Sequence, residues 1–237
     1  MGSGVFITGT DTGVGKTLVA CGLAALFKES GLRVGVMKPA ETGCVEKDGE
    51  LFPEDAARLK EAAGSDEPLE HICPYRLVDA LAPSAAAERA RVTIDIARIQ
   101  RIYDEIASRN DVVIVEGAGG LLVPLLPHYT YVDLAKLLKI PIIVVAANRL
   151  GAINHLSLTL ESAAAHGLRV AGYVWNNLER QTSLAAETNP DALPFLTAVP
   201  CLGEIPYIES GAFERALLAK LFLERLGGVL DAVLKPR

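Results

Sequence analysis

Short runs of β-branched and apolar residues recur along this 237-residue chain, separated by longer stretches with helical spacing. The runs predict strands over Val5–Thr8, Arg33–Met37, Val112–Val115, Ile142–Ala146 and Val170–Val174, with a short one near Leu202–Ile205. Most are apolar throughout rather than alternating, as strands covered on both faces should be. Helices are predicted over Lys16–Glu29, Pro53–Ala63, Ile94–Ser108, Val132–Leu138 and Ile153–His166, with a C-terminal one near Phe213–Leu226. In Ile94–Ser108 the residues Ile94, Ala97, Ile102 and Ile106 approximate a single apolar stripe. Alternating strands and helices require crossover connections, so the expected fold is α/β, with a mainly parallel, doubly wound sheet flanked by helices. Gly64–Pro83, carrying Pro68, Pro74 and Pro83, is the least regular stretch and is expected to be a long excursion over the edge where the strands end. No linker, repeat or low-complexity segment interrupts the chain, so one domain over residues 1–237 is expected. Its functional residues should collect at the carboxyl ends of the strands.

The first predicted strand runs into VFITGTDTGVGKT, Val5 to Thr17, where β-formers stop at Gly9 and give way to small residues and one lysine. Packing explains this poorly, because Gly9, Gly13 and Gly15 bury no side chain and cost backbone entropy. A bound phosphate explains it better. Glycines let backbone N–H groups crowd an anion, and a helix starting near Gly15 points its positive end at that anion. Lys16 then reaches the terminal phosphates, and the Thr17 hydroxyl sits where Mg2+ is held. The usual pattern G-x-x-x-x-G-K-[ST] puts its first glycine at position 10, where this chain has Thr10, with Gly9 one place early.

The other strand ends carry further polar groups. The second strand ends at Lys38-Pro39, followed by Ala40-Glu41-Thr42-Gly43, and the third at Glu116-Gly117-Ala118-Gly119-Gly120. The fourth ends in Asn148-Arg149-Leu150-Gly151, the fifth in Asn176-Asn177, and the last passes through Gly203-Glu204-Ile205-Pro206-Tyr207. Lys38 is either a solvated strand end or a second cation at the same edge as Lys16. Glu116 ends a strongly apolar strand and is followed by glycines, so it is expected to face the nucleotide site, where a carboxylate orients Mg2+ or its water shell, the alternative being a structural salt bridge. Asp55, in the first turn of a helix, need do no more than complement the helix dipole. Asn176-Asn177 are either turn residues or amides that read a base edge. Gly151-Ala152 leave the N-terminal amides of the following helix uncrowded, as a second anion site or as a plain loop closure.

Composition narrows the class. The net charge of −6 and a pI near 5.3 argue against a broad nucleic-acid surface, while leaving room for a local basic pocket. Cys21, Cys44, Cys73 and Cys201 are far apart and form no C-x-x-C pair, so reduced thiols are expected. His71, His128, His155 and His166 are equally dispersed, which disfavours a zinc site. No apolar run reaches the roughly 18 residues of a membrane span. The start MGSGVF lacks the n- and h-regions of a secretion signal and has Phe6 where a myristoylation pattern needs Ser or Thr. The expectation is a cytoplasmic protein that meets neither membrane nor nucleic acid.

Taken together, FITGTDTGVGKT, MKPAETG, VEGAGGLLVPL, NRLGAINH with LSLT after it, and GEIPY resemble the dethiobiotin synthetase family over residues 5 to about 208. The loop with the early glycine is itself characteristic of that family. The resemblance implies that 7,8-diaminononanoate takes up CO2 as a carbamate, whose oxygen attacks the γ-phosphate of Mg-ATP to form a carbamic–phosphoric anhydride. The other amine then closes on that carbon, releasing phosphate and dethiobiotin. It further implies that Gly13, Val14, Gly15, Lys16 and Thr17 hold the phosphates, together with Asp55, Glu116, Gly117, Ala118 and Gly119. Thr17, Asp55 and Glu116 would surround Mg2+, and Lys38 would be catalytic beside the carbamate. Asn176 with Pro206, Tyr207 and Ile208 would hold the adenine, with Asn177 beside them. Thr12 and Thr42 would contact the diamine. Gly151, Ala152, Ile153 and Asn154 would receive its carboxylate across a homodimer interface. The chain departs from the family at Glu41, acidic where a small or neutral residue is expected, and after Ile208, where ESGAFERALL matches nothing and leaves Glu209 without a role.

Two other classes share such a loop. Partition-type switch ATPases read K-G-G-x-G-K-T, with a lysine where this chain has Asp11, and act on a surface for which no basic amphipathic tail is present here. Amidotransferase-linked synthetases related to cobyrinic acid a,c-diamide synthase carry a glutaminase domain, for which this length leaves no room. A non-catalytic nucleotide sensor is the third alternative.

Overall fold

The computed structural model describes residues 3–209 and 214–234. Met1 and Gly2, at the start of MGSGVF, and Phe213, the predicted start of the last helix, lie outside the described residues. β1 (Ser3–Gly9) leads through the glycine loop into α1 (Lys16–Glu29), and β2 (Val34–Met37) follows. The chain then leaves the sheet through β3 (Ala40–Thr42), β4 (Val45–Lys47), β5 (Glu50–Phe52), α2 (Glu54–Ala63), α3 (Leu69–Ile72), β6 (Tyr75–Leu77) and α4 (Pro83–Ala90). α5 (Ile96–Arg109) returns it to β7 (Val112–Gly120), and β8 (Pro124–Leu126) with β9 (Tyr129–Thr130) leads into α6 (Tyr131–Leu138). β10 (Ile142–Ala147), α7 (Ala152–Ala165), β11 (Val170–Asn176), α8 (Leu184–Ala192) and β12 (Cys201–Ile205) come next. α9 (Arg215–Leu226) and α10 (Val229–Leu234) end the described chain.

Six strands form one parallel sheet in the order β12-β11-β10-β1-β7-β2. The crossovers place helices on both faces, which is why most strand positions are apolar on both faces of the sheet. Along β1, Val5 and Ile7 enter the core that also holds Leu23, Leu59 and Phe222, while Phe6 enters the opposite core with Ile102, Tyr131 and Trp175. β7 divides the same way, with Val112 and Ile114 on one face and Val113 and Val115 on the other. Each large side chain so enclosed contributes about 1.5–3 kcal/mol, so neither face can be left uncovered.

All six predicted main strands and the predicted helices are present, with shifts at the ends that have identifiable causes. α5 starts at Ile96 rather than Ile94 because Asp95 caps it, its Oδ1 accepting from Ala97 N at 2.9 Å. α6 starts one residue early because Thr130 N and Oγ1 both donate to Asp133 Oδ2, at 2.7 and 2.9 Å. The excursion is more ordered than its prolines imply. Gly64–Pro83 contains α3 and β6, β6 pairs in parallel with β3, and Pro83 is the first residue of α4, a position where its missing N–H costs nothing. Among the described residues no helix is long and apolar enough to cross a membrane.

Candidate active site

The glycine loop joins β1 to α1 at the carboxyl edge of the sheet. Gly15 caps α1 with φ 91° and ψ 29°, and no acidic residue occupies the first turn, so the positive helix end stays open. The early glycine has a packing cause. A Cβ at Gly9 would run into the Val14 side chain, the Asp11 carbonyl and the Lys16 stem, all folded back over it. Lys16 Nζ donates to Asp11 O at 3.0 Å, holding the side chain along the loop. Burial pulls its pKa below the usual lysine value to about 8, with Glu116 opposing the shift and Lys38 adding to it.

Strand order brings the remaining charges to this loop. β7 lies between β1 and β2, with Glu116 opposite Ile7 in one register and Val115 opposite Met37 in the other. Lys38, just past Met37, therefore reaches Glu116. Its Nζ donates to Glu116 Oε1 at 2.5 Å and to Asp55 Oδ2 at 2.9 Å, while Thr17 Oγ1 donates to the same Glu116 Oε1 at 2.8 Å. Glu116 Oε2 is buried with no hydrogen-bond partner. Burial works against the Lys38 ammonium, but the carboxylates of Glu116 and Asp55 outweigh it and raise its pKa. Burial pushes Glu116 up, against the pull of Lys38. For Asp55 the burial effect is overcome by Lys38 and by the Thr17 hydroxyl, so its pKa lies below the usual value. The lysine at the end of β2 is an enclosed cation between two carboxylates, and the solvated alternative is excluded.

Glu41 has a different job from its neighbours. Its Oε1 and Oε2 accept from Asp55 N and Ala56 N, each at 3.0 Å, so the buried carboxylate caps α2 from fourteen residues away. Burial and the nearby Asp55 raise its pKa to about 7, against the two backbone N–H bonds. The acidic departure beside Thr42 thus aims the α2 turn that carries Asp55. No local capping pattern announces this, because the cap comes from another strand.

A cavity of about 570 Å3 opens over these groups. Thr12, Gly13, Gly15, Lys16, Thr17, Lys38, Thr42, Asp55, Glu116, Ala118 and Gly119 line it, together with Ala80 to Pro83 from the excursion, which does lie over this edge as expected. Val14 and Gly117 are buried behind the lining. Asn176, fully buried at the end of β11, donates from Nδ2 to Val14 O at 2.9 Å and leaves Oδ1 without a partner. Asn177 Nδ2 donates to Glu204 Oε1 at 2.6 Å, and with Pro206, Tyr207 and Arg180 it lines a neighbouring hollow of about 560 Å3. Ile208 packs against the core beneath instead. Gly151 to Asn154 form the start of α7 and line neither space, while Leu150 beside them is 88% exposed.

Residues unassigned from the sequence tie these pieces together. Asn148 Nδ2 donates to Ala186 O at 2.9 Å and Glu204 Oε1 at 3.2 Å, and Asn189 Nδ2 donates to Asn148 Oδ1 at 3.0 Å. The four cysteines are free thiols, with Cys201 exposed. Among the described residues no group of three or more His, Cys, Asp or Glu side chains is arranged to hold a metal. The carboxylates of Glu116 and Asp55 meet at Lys38 Nζ with the Thr17 hydroxyl on Glu116, which is a donor set for a hard cation that keeps waters and phosphates as its other ligands.

Comparisons with known proteins follow this geometry. The family model described as an AAA domain matches residues 3–215. The chain is 42% identical over 216 residues to the ATP-dependent dethiobiotin synthetase BioD of Thermodesulfovibrio yellowstonii, covering 88% of this chain and 90% of the relative. It is 45% identical over 204 residues to the protein of the same name from Anaeromyxobacter dehalogenans, covering 86% and 90%. With the Bacillus cereus counterpart the identity is 42% over 207 residues, covering 87% and 84%. Among solved structures it is similar to the septum site-determining protein MinD complexed with Mg-ADP from Pyrococcus horikoshii OT3, with TM-score 0.60, 16% identity and 94% and 96% of the two chains covered. A ParA family ATPase from Chlorobium tepidum TLS follows with TM-score 0.56, 16% identity and coverage of 94% and 92%. These two share the fold with the partition-type class that the loop also raised, and at such identity they speak for the fold alone. Sequence identity above 40% across most of each chain decides the family: this chain belongs to the ATP-dependent dethiobiotin synthetases.

Proposed function

We propose that this protein is a dethiobiotin synthase, a ligase that closes the ureido ring of dethiobiotin from 7,8-diaminononanoate, CO2 and ATP through a carbamate and a carbamic–phosphoric anhydride. The observation that carries the reading is a second enclosed cation, Lys38, at the mouth of the Lys16 loop. Carbamate and γ-phosphate are both anions. At 4 Å and an effective dielectric of 20, two such charges repel by about 4 kcal/mol. Lys16 relieves this on the ATP phosphates and Lys38 relieves it where the carbamate oxygen meets phosphorus, in a protein that is otherwise acidic.

The remaining assignments rest on placement and family resemblance. Thr17, Asp55 and Glu116 are the residues that would hold Mg2+, and the unpartnered Oε2 of Glu116 fits an oxygen ligand awaiting a cation. Bound there, Mg2+ would neutralise charge on the β- and γ-phosphates as the phosphoryl group moves. The loop amides from Gly13 to Thr17, with Ala118 and Gly119, cradle the phosphates. Asn176, Asn177, Pro206 and Tyr207 receive the base. Thr12 and Thr42, on the cavity wall, contact the diamine. The start of α7 lines neither of the two spaces described above, which agrees with a carboxylate site completed by a second copy in a homodimer. The chain acts as one domain in the cytoplasm.

Incubation with diaminononanoate, labelled bicarbonate and Mg-ATP tests the reading, with label expected in a ureido product. ATP turnover without labelled product would point to a switch ATPase instead. Glu116→Gln is expected to keep the fold and raise the Mg2+ concentration needed for turnover severalfold or more. An unchanged Mg2+ titration removes Glu116 from the metal site. The amide or ester of diaminononanoate is expected to bind much more weakly than the acid, with ATP binding untouched. Mixing an inactive Lys38 variant with an inactive Asn154 variant should restore activity only if the site is shared between subunits, so no recovery in mixed dimers sinks the shared site.

A further inference from the structure

Lys38 and a divalent cation compete for the same oxygens. The ammonium is hydrogen-bonded to Asp55 Oδ2 at 2.9 Å, within the range of charge-assisted bonds, and more closely to Glu116 Oε1 at 2.5 Å. Its side chain is 4% exposed, so no solvent stands in for these partners if they are withdrawn. Both carboxylates belong to the set ascribed above to Mg2+, and this inference rests on that reading. Thr17 poses no such conflict. A hydroxyl that donates its proton to Glu116 still presents lone pairs to a cation. Lys38 alone is in the way.

Its departure requires a new anionic partner, since an enclosed lysine stripped of its carboxylates is costly. The cavity wall offers none among its other lining side chains except Glu41, whose two oxygens are already engaged by the N–H groups of Asp55 and Ala56. A nucleotide would bring several negative oxygens to the same space.

We propose that Lys38 is a displaceable counter-ion that keeps divalent metal off Asp55 and Glu116 until a nucleotide enters, and that its transfer onto the phosphates is what delivers it to the reacting groups. Metal then enters with the nucleotide and not before it. The same ammonium is shared between one oxygen of the buried Glu116 and one of the partly buried Asp55.

Binding of Mn2+ to nucleotide-free protein, followed by the electron paramagnetic resonance of the free ion, tests this without any turnover. Wild type is expected to bind Mn2+ weakly, and Lys38→Met at least tenfold more tightly. Lys38→Met with Glu116→Gln should lose that gain. A Lys38→Met protein that folds, by circular dichroism, yet binds Mn2+ no more tightly than wild type overturns the proposal. Since removal of a buried cation can itself unfold the chain, wild type supplies a second measurement. The ammonium signal of Lys38 in 15N-lysine spectra should stay unchanged with millimolar Mg2+ alone and shift when a non-hydrolysable ATP analogue is added with it. A shift with Mg2+ alone overturns the proposal. If wild type forms no ureido product but Lys38→Met shows the Mn2+ gain, the counter-ion role stands without the proposed reaction. Product without the gain removes the counter-ion role alone.

Discussion

Lys38→Met is expected to lower kcat by a factor of about 10² or more while changing ATP affinity by less than about tenfold, a loss comparable to deleting one preorganised donor. Its backbone is fixed, with Lys38 N donating to Ile72 O at 2.7 Å and Pro39 stiffening the exit. A lysine on such an anchor is a compact charge on a flexible stem, suited to follow a phosphoryl group between oxygens. On the proposed reading, Lys16 serves the ATP phosphates in the ground state. The second cation therefore counts most in the transition state, and an interaction gained mainly there is read in kcat. Methionine keeps the length and the apolar stem and removes only the charge. The measurement belongs in excess Mg2+, so that Glu116 and Asp55 retain a cation and the loss is not confused with misfolding. Should Lys38→Met abolish ATP binding and leave kcat near wild type at saturation, the chemical role of Lys38 fails.

Gly15→Ala is expected to weaken ATP binding by on the order of 10²-fold and to destabilise the fold by about 1–3 kcal/mol, the cost of a non-glycine residue in left-handed backbone. Gly15 sits at φ 91°, and a Cβ there would fall on the side-chain amide of Asn176. That amide cannot step aside freely, because it is fully buried and bonded to Val14 O at 2.9 Å. The loop must shift instead, and with it the N–H groups proposed to cradle the phosphates. Isothermal titration with an ATP analogue and thermal unfolding check the two effects separately. Adding Asn176→Ala to Gly15→Ala should recover part of the stability and little of the affinity, since the clash is relieved while the strain remains. Wild-type ATP affinity in Gly15→Ala would show that the loop tolerates a side chain there.

Much of this molecule can be read along the chain. Runs such as Val112–Val115, apolar at every position, already require a sheet covered on both faces, and α1 begins and ends at the predicted residues. The glycine loop is equally legible, because an anion cradle needs particular residue types at fixed local offsets. What could not be read are the relations between distant segments. α4 hides behind the prolines of its approach, and α8 carries Pro190 inside it and is held by the buried Asn189, so local propensity argues against a helix that packing supplies. Glu41 looks like an intruder until α2 is seen resting on its carboxylate.

The centre of the site divides along the same line. Local pattern puts Lys16, Lys38, Asp55 and Glu116 each at a strand or helix end, and leaves an ordinary alternative open for the last three. Their meeting depends on β7 being inserted between β1 and β2, which brings Glu116 against a lysine 78 residues away. Local sequence determines which residues stand at strand ends, because hydrophobic period and turn chemistry act over a few residues. Only the tertiary structure decides which ends are neighbours, because strand order is settled by how the helices close over both faces of the sheet.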